Sequence, residues 1–316
     1  MRKLLPLFLL AAAAVPAGAP DEMATFSIVA RDEATGDYGV AVQSKYFNVG
    51  AVCPWARADV GAIATQAFAN YSYGPEGLKL LEQGLTAEQV VEKLTSTDQM
   101  RDRRQLAVID AKGNVAAWTG PKCNPWAGHR TGKNYSVQGN ILAGEDVVKG
   151  MERAFLDSKG TFGERLIAAL EGGQAAGGDS RGKQSAAMVV VRKNSVFGSD
   201  RFIDLRVDDH PEPIRELGRL VAHYQVLGEV FRATQLGQKD PTAALSALEA
   251  ALKKYEADDG AHYLLARLYA RIQRPDPALA ELRRAVALNP NIKKAASTEA
   301  DFAELRETET FQKIVR

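Results

Sequence analysis

The sequence has only two cysteines and four histidines among its 316 residues. Two cysteines are too few to build a fold from disulfides, and the lack of a Cys-x-x-Cys pair argues against a zinc or redox site. The chain also lacks a Gly-x-Ser-x-Gly elbow, a Walker loop and a His-Glu-x-x-His motif. The composition, 46% hydrophobic, is that of a globular protein, and the chain is long enough for two domains.

The sequence also has no large excess of positive or negative charge. The formal net charge is +1, and no block of lysine and arginine interleaves with aromatic residues. The sequence therefore gives no electrostatic reason to expect nucleic acid or an anionic membrane as a partner.

The N-terminal apolar run, Leu4–Ala14, is too short to span a bilayer, which takes about 20 residues. Arg2 and Lys3 precede it, and the small-residue triplet Ala17-Gly18-Ala19 follows it. This order predicts a cleaved signal peptide at residues 1–19, with an uncleaved anchor as the alternative. The mature protein is then periplasmic or secreted, without membrane attachment after cleavage.

Export places the two cysteines in an oxidising compartment. Cys53 lies in CPWA and Cys123 lies in CNPWA, so their contexts echo each other. A Cys53–Cys123 disulfide and two buried free thiols both remain open, because the sequence does not give the distance between the Cα atoms.

Strand-like and helix-like segments are segregated between Thr25 and His210. The strand-like segments are TFSIVARD and YGVAVQSKY, which form a hairpin, VGAIATQAFA, the hairpin RQLAVID and VAAWTG, YSVQGN, SAAMVVVRK and RFIDLRVDD. The helical segments are GPEGLKLLEQG, TAEQVVEKLTST, GEDVVKGMERAFLDS and FGERLIAALEGGQ, the second with Thr86 and Gln89 as a capping box. Residues 25–210 are therefore predicted to form a layered α+β domain.

From Pro211–Pro213 onward the pattern is helical, which predicts a second domain at residues 211–316. A tetratricopeptide (TPR) spacing is carried by Leu265, Ala266, Tyr269, Ala278, Leu282, Ala285 and Pro290. Ala244, Leu248 and Ala251 lie 34 residues before Ala278, Leu282 and Ala285. This offset is the length of one TPR repeat. This all-α TPR-like region is either a groove for a peptide or protein partner or a structural or dimerising appendage.

Two loops are candidates for chemistry. The Gly-rich stretch GGQAAGGDSRGKQS holds Asp179, Arg181, Gln184 and Ser185, where glycine lets the backbone approach a ligand. His129 follows NPWAG in a predicted Gly/Pro loop, where a solvated histidine is the alternative to a functional one. His210 with its neighbouring aspartates is interpreted as a charged cap. The sequence therefore predicts no metal and no cofactor.

The motifs in this first domain resemble the bacterial domain-of-unknown-function family 1028. The similarity rests on TFSIVARDEATGDYGVAVQSKYFNVGAVCPWARADVGAIATQAFAN, CNPWAGH, VQGNILAG, GGQAAGGDSRGKQSAA and DLRVDDHPEP, in that order. The family is placed among the N-terminal-nucleophile (Ntn) hydrolase-like folds, which are four-layer αββα sandwiches. The resemblance implies that fold and a candidate chemistry, but no substrate.

In Ntn chemistry, a Thr at the chain end uses its own α-amino group as the base. Thr25 resembles this nucleophile, and Lys45 resembles the lysine that faces it from the second strand region, with an exposed edge-strand lysine as the alternative. The resemblance also suggests an oxyanion site built from Asn70, Gln138, Asn140 and the Gly-rich loop. A Ser/Lys pair made of Ser27 or Ser44 with Lys45 would need no free chain end.

Two functions follow from the sequence. One is an exported amidohydrolase or peptidase of the Ntn type, which acts on a small-molecule or peptide substrate with Thr25 as the nucleophile. The other is a non-catalytic binding module on the same scaffold, with protein partners recruited by the TPR-like region. The mature N-terminus distinguishes them, because only a chain that starts at Thr25 has a free α-amino base. The sequence leaves open whether the chain is a homo-oligomer.

Overall fold

The computed structural model describes residues 25–193, 199–237 and 239–316. The predicted signal peptide at residues 1–19 lies outside these ranges. The strands are β1 (Thr25–Arg31), β2 (Tyr38–Ser44), β3 (Pro54–Arg57), β4 (Gly61–Ala67), β5 (Arg104–Asp110), β6 (Val115–Thr119), β7 (Gly128–Gly132), β8 (Tyr135–Asn140), β9 (Ser185–Val191) and β10 (Arg201–Val207). The helices are α1 (Tyr73–Glu82), α2 (Ala87–Ser96), α3 (Asp146–Asp157), α4 (Phe162–Ala175), α5 (Pro213–Leu236), α6 (Pro241–Leu252), α7 (Asp259–Arg271), α8 (Pro275–Leu288), α9 (Ile292–Thr298) and α10 (Glu309–Val315).

The strands form two antiparallel sheets. The larger sheet has the order β10-β9-β2-β1-β8-β7, and the smaller has the order β3-β4-β5-β6. Strand β1 lies inside the larger sheet, with β2 on one side and β8 on the other. The first residue of β1 is therefore held by two neighbouring strands rather than by one.

Alternation along β1 sends its side chains to two different cores. Phe26, Ile28 and Ala30 join a core with α3 and α4, whereas Val29 joins the core between the two sheets. On the outer face of the smaller sheet, Ile63 packs with apolar residues of α1 and α2. The two sheets are therefore stacked on each other, and each has helices against its other face. The prediction of an α+β domain followed by helices is confirmed, whereas the Ntn assignment stays a prediction.

Local signals place several elements correctly. The Thr86 hydroxyl accepts a hydrogen bond from the Gln89 N–H, and the Gln89 side chain accepts one from the Thr86 N–H, so the predicted capping box begins α2. Gly113 has a φ of +84° in the turn between β5 and β6. A residue without a Cβ adopts this left-handed conformation at little cost.

Two short strands were not predicted from the sequence. The segment after Cys53 forms β3, and the segment that contains His129 forms β7 at the edge of the larger sheet. The prediction that His129 lies in a loop is therefore wrong. Glycines at both ends of β7 and Pro54 at the start of β3 are residues that disfavour strands, so the local signal was weak.

The C-terminal helices form their own apolar cores. Leu248, Leu265, Leu268 and Ala278 are buried together, and Leu282 and Ala285 pack with Phe302 and Phe311. The small and apolar residues of the predicted repeat therefore occupy the contacts between helices. Within the described ranges, none of the helices has both the length and the apolar character needed to cross a bilayer.

Polar contacts join the helical region to the first domain. The Lys254 Nζ lies 2.7 Å from the Glu164 Oε1, and the Gln225 Nε2 donates to the Thr161 Oγ1 at 2.6 Å. Apolar residues of α5, such as Leu217 and Val221, belong to the same core as α4 and β10. These contacts place the start of α5 on the first domain.

Candidate functional site

A row of polar residues crosses the larger sheet at one end. Thr25 is directly opposite Ser44 on β2 and Asn140 on β8, and Ser44 is in turn opposite Ser185 on β9. Residues opposite each other in antiparallel strands present their side chains to the same face. All four residues are buried. We call them the Thr25 row.

Thr25 makes contacts toward both sheets. Its hydroxyl donates a hydrogen bond to the Ser44 Oγ at 3.2 Å. Its backbone carbonyl oxygen accepts a hydrogen bond of 3.4 Å from the Gln66 Nε2, which belongs to the smaller sheet. The Thr25 hydroxyl thus lies on the face that looks toward the second sheet.

Gln105 is the centre of a buried polar network between the sheets. Its Nε2 donates to the backbone carbonyl oxygens of Gly139 at 2.8 Å and Gly128 at 3.1 Å. Two carbonyl oxygens are acceptors only, so they fix which end of the Gln105 amide is the nitrogen. The Gln105 Oε1 then accepts from the Gln66 Nε2 at 2.8 Å and from the Asn140 Nδ2 at 3.1 Å.

The amide orientation of Gln105 also fixes which groups donate and which accept in the hydrogen bonds that follow. Because the Gln66 Nε2 is a donor, its Oε1 accepts, and the Ser27 hydroxyl donates to it at 2.6 Å. The Ser27 oxygen in turn accepts from the Gln138 Nε2 at 2.6 Å, and the Gln138 Oε1 accepts from the Ser136 hydroxyl at 2.7 Å. The network therefore joins β1, β4, β5 and β8 through side chains that are all buried.

His129 ends the network on the other side. The Gln105 Nε2 also lies 2.9 Å from the Thr119 Oγ1, and this hydroxyl lies 2.9 Å from the His129 Nδ1. The tautomer of His129 decides which of the two groups, the Thr119 hydroxyl or the Nδ1, donates. Burial lowers the pKa of His129, which favours the neutral ring.

Two non-glycine residues beside the network have left-handed backbones. Ala67 follows Gln66 with a φ of +65°, and Ile141 follows Asn140 with a φ of +52°. This conformation costs about 1–2 kcal/mol for a residue with a Cβ. Backbone bonds hold Ile141, whose N–H donates to the Asn124 carbonyl and whose carbonyl accepts from the Ser180 N–H. The strain lies at the two strand ends that present Gln66 and Asn140.

The Gly-rich loop meets the backbone of Lys45. The Asp179 Oδ2 accepts from the Lys45 N–H at 2.7 Å, and the Arg181 Nη2 donates to the Lys45 carbonyl at 3.1 Å. The Lys45 side chain is exposed, and its Nζ is 3.5 Å from the Lys183 carbonyl oxygen. Asp179 and Arg181 therefore hold the chain where it leaves Ser44.

The expectation that the Lys45 side chain faces Thr25 is not supported. Lys45 follows the last residue of β2, its side chain is exposed, and its Nζ is near the Lys183 carbonyl oxygen, whereas Thr25 is buried. For the same reason, the exposed ammonium group of Lys45 does not form the predicted Ser/Lys pair with Ser27, whose hydroxyl donates to Gln66 inside the sandwich.

Gln184 and Ser185 support the loops around the row. The Ser185 hydroxyl donates to the Tyr46 carbonyl at 2.6 Å and accepts from the Val49 N–H at 3.1 Å. The Gln184 Nε2 donates to the Asp209 carboxylate at 3.0 Å. Both side chains therefore hold neighbouring segments rather than contact Thr25.

Asn70 belongs to a separate cluster around Asp98. The Asp98 Oδ2 accepts from the Asn70 Nδ2 at 3.3 Å, the Tyr73 hydroxyl at 2.8 Å and the Arg104 Nε at 2.8 Å. Burial alone would raise the pKa of Asp98, but the Arg104 guanidinium and the Met100 N–H outweigh it and lower this pKa to about 2. The structure therefore does not bring Asn70 to Thr25, and its expected place in an oxyanion site is not supported.

This cluster predicts an acid-sensitive contribution to stability. The folded pKa of Asp98 is depressed below its ordinary value of 3.8, so its stabilisation is present above that value and is lost as the pH falls toward 2. Asp98→Asn is expected to lower the free energy of unfolding by about 2 kcal/mol at neutral pH and by much less near the acid end of this window. Urea unfolding at both pH values measures the difference.

Asp102→Asn is the matched control, because its pair with Lys122 is exposed and should change stability by about 0.5 kcal/mol or less. An Asp98→Asn deficit that stays constant across the acid window would contradict the assignment.

The Cys53–Cys123 disulfide, one of the two alternatives that the sequence left open, is not present in the structure. The Cys53 Sγ lies 3.7 Å from the Gln66 Oε1 in the core between the sheets, and burial raises the pKa of its thiol to about 12. The Cys123 Sγ instead donates to the Arg104 carbonyl oxygen at 3.3 Å. The two sulfur atoms thus face different neighbours, although their sequence contexts are alike.

Sequence reasoning named Ser27 only as a partner of Lys45, and it missed the other residues in the middle of the network, which are Gln66, Gln105, Thr119 and Ser136. A signal was present: each is a polar residue within a strand whose neighbours are largely apolar. Among the residues that the structure describes, no group of three or more His, Cys, Asp or Glu side chains is arranged to hold a metal ion.

Comparisons with known proteins divide the chain in a similar way. A tetratricopeptide-repeat model matches residues 235–300. A crystal structure of a Silicibacter pomeroyi protein, described there under the family model DUF1028, matches with a TM-score of 0.59 and 35% identity, over 63% of this chain and 88% of that chain. No curated protein matches. The model of the Family of unknown function (DUF1028) matches residues 25–217, more than half of the chain, so this protein belongs to the DUF1028 family.

Proposed function

We propose that this protein is an exported amide hydrolase of the N-terminal-nucleophile type, with Thr25 as its nucleophile once residues 1–24 have been removed. One observation carries the proposal. Thr25 is the first residue of an inner strand, and its hydroxyl lies between the sheets, hydrogen-bonded to Ser44. A nucleophile at the start of a strand is held rigidly, and it has an α-amino group beside it when the chain begins there.

The chemistry needs few groups. The Thr25 α-amino group takes the hydroxyl proton while the oxygen attacks the substrate carbonyl carbon. The carbon–nitrogen bond then breaks, and the ammonium returns its proton to the leaving amine. Water hydrolyses the resulting ester by the same route and restores the hydroxyl. The reaction consumes one amide and one water and releases an acid and an amine.

Asn140 and Gln66 are the side chains placed to assist. Asn140 stands opposite Thr25 and presents an Nδ2–H donor on the same face. It is proposed to stabilise the oxyanion by turning from the Gln105 Oε1 to the substrate oxygen. Gln66 fixes the Thr25 carbonyl, so the nucleophile stays aligned while the hydroxyl reacts.

Because the Lys45 ammonium group is exposed, it is not proposed to lower the pKa of the α-amino group. Burial of Thr25 is instead expected to bring that pKa below its ordinary value of about 7.7–8.0. The reaction of Thr25 is therefore expected to accelerate as the pH rises through this lowered pKa and to level off above it.

A β-lactone that acylates hydroxyl nucleophiles tests the proposal without knowledge of the substrate. The processed protein should gain one lactone mass on Thr25, mapped by peptide mass spectrometry, with a rate that follows the amine titration. Labelling at Ser27 or Ser44, or equal labelling of protein that keeps residues 1–24, would reject Thr25 as the nucleophile. Thr65, a buried strand threonine outside the row, should stay unmodified in the same digest.

A second candidate function is a non-catalytic binding module whose helical region recruits a protein or peptide. A groove of about 570 Å³ in that region supports it, with Leu265, Leu288, Glu249 and Glu281 among its lining residues. Ligand binding by protein that keeps residues 1–24 and shows no lactone labelling would favour this function.

A further inference from the structure

A cavity of about 460 Å³ opens at the β6–β7 edge of the sandwich. Its apolar walls include Pro121, Pro125 and Trp126, and Cys123 and His129 also line it. The volume is in the range of small-molecule sites. Thr25, Ser44 and Asn140 are not among its lining residues, so the cavity is separate from the Thr25 row.

The polar group that His129 presents to this cavity is uncharged. Its Nδ1 lies 2.9 Å from the Thr119 Oγ1, so the Thr119 hydroxyl occupies the Nδ1 side of the ring, and we take the proton to be on Nε2. Within the described ranges, no protein group hydrogen-bonds to this Nε2. No lysine, arginine, aspartate or glutamate is among the lining residues.

We propose that this cavity binds an uncharged amide that carries an aromatic or other apolar group. The amide oxygen accepts from the His129 Nε2–H, and the apolar group lies against the two prolines and Trp126. A neutral donor among apolar walls suits a carbonyl oxygen, whereas a carboxylate would find no opposite charge there.

This inference deepens the proposed function by naming the cavity as a subsite for a neighbouring group of the substrate. His129 is opposite Gln138, which is opposite Ser27 on β1, so His129 lies two strands from Ser27, about 10 Å away. All three residues face the same side of the sheet. A substrate of a few residues would span that distance. Only the name "substrate subsite" rests on the proposed function, since binding itself needs no catalysis.

Phenylacetamide is the probe, with acetamide and phenylacetate as comparisons. Alkylation of Cys123 by iodoacetamide reports occupancy, because Cys123 lines the cavity. Cys53 is the internal control, since burial raises the pKa of its thiol to about 12 and keeps it unreactive in the folded chain. In the full-length protein, saturating phenylacetamide should slow Cys123 alkylation about fivefold or more, and the comparison compounds should not.

His129→Phe keeps a ring but removes the donor, so the dissociation constant for phenylacetamide should rise about tenfold. His210→Phe is the matched control and should leave it unchanged. In the wild type, ¹⁵N spectra of the histidine side chains should show His129 as the Nε2–H form, with an Nε2 signal that shifts on binding. This measurement stands even if His129→Phe fails to fold.

Any of four results would overturn the inference: no protection of Cys123 up to the solubility limit of phenylacetamide, equal protection by phenylacetate or acetamide, unchanged affinity in His129→Phe, or an Nδ1–H form of His129. The same titration in Thr25→Ala separates the two proposals. Binding there would keep the cavity assignment even if Thr25 proved not to be a nucleophile.

Discussion

Thr25→Ala is expected to abolish amide hydrolysis, by about 1,000-fold or more, and Thr25→Ser is expected to retain it. Alanine lacks the oxygen that attacks the carbonyl, whereas serine keeps the oxygen and its hydrogen bond to Ser44. The two variants should also differ in the cleavage between Ala24 and Thr25, because the residue 25 hydroxyl is expected to attack the carbonyl of Ala24 and so release the new chain end. Intact mass and the lactone labelling rate measure both effects in one preparation.

Thr65→Ala is the matched control for this experiment. Thr65 is another buried strand threonine, but its hydroxyl donates to the Asn70 carbonyl instead of the Thr25 row. It should lose some stability and keep both processing and labelling. Normal hydrolysis by Thr25→Ala would remove Thr25 from the mechanism.

Gln105→Leu is expected to lower the free energy of unfolding by about 4 kcal/mol or more. The substitution leaves five groups without a partner that they have in the wild type: the buried carbonyl of Gly139, the buried amides of Gln66 and Asn140, and the partly buried Gly128 carbonyl and Thr119 hydroxyl. An unsatisfied buried polar group costs about 1–3 kcal/mol, and relaxation of the neighbours recovers part of the sum. Urea unfolding at neutral pH measures it.

Gln184→Leu provides the comparison on the same scaffold. Gln184 makes a side-chain bond to Asp209 near the surface, so its loss should cost about 0.5 kcal/mol or less. If Gln105→Leu were no more destabilising than Gln184→Leu, the buried network would not hold the sheets in the described arrangement.

The sequence was informative wherever the controlling contacts are local. Alternation in TFSIVAR and YGVAVQS predicts β1 and β2, and the Thr86–Gln89 capping box predicts the start of α2. The small and apolar residues of the TPR spacing predict the helix contacts of α6 to α8. In each case the deciding residues are within one turn, one strand or one repeat of each other.

The site depends instead on contacts between distant segments. Gln66 and Gln105 come from different strands of the smaller sheet, and Thr25 and Asn140 come from the larger one. Their meeting is set by strand register and by the stacking of the sheets, which no local pattern specifies. Thr25 and Ser44 could be predicted as neighbours from the hairpin, but the Lys45 backbone N–H is bound by Asp179, which lies far along the chain.

His129 is a second residue whose structure depends on contacts between distant segments. Its glycine-flanked segment has little strand propensity, yet pairing with β8 makes it a strand. Its side-chain partner, Thr119, belongs to the other sheet and lies beside Gln105. A functional histidine could be suspected from the sequence, whereas its hydrogen-bond partner depends on how the two sheets stack.

The mature N-terminus of protein purified from its native host is the most direct test of the proposed catalytic role. Sequencing or intact mass should show a chain that begins at Thr25, because only that chain has a free α-amino base beside the hydroxyl. A chain that begins after Ala17 or Ala19, keeps the residues up to Ala24 and still hydrolyses an amide would contradict catalysis by Thr25.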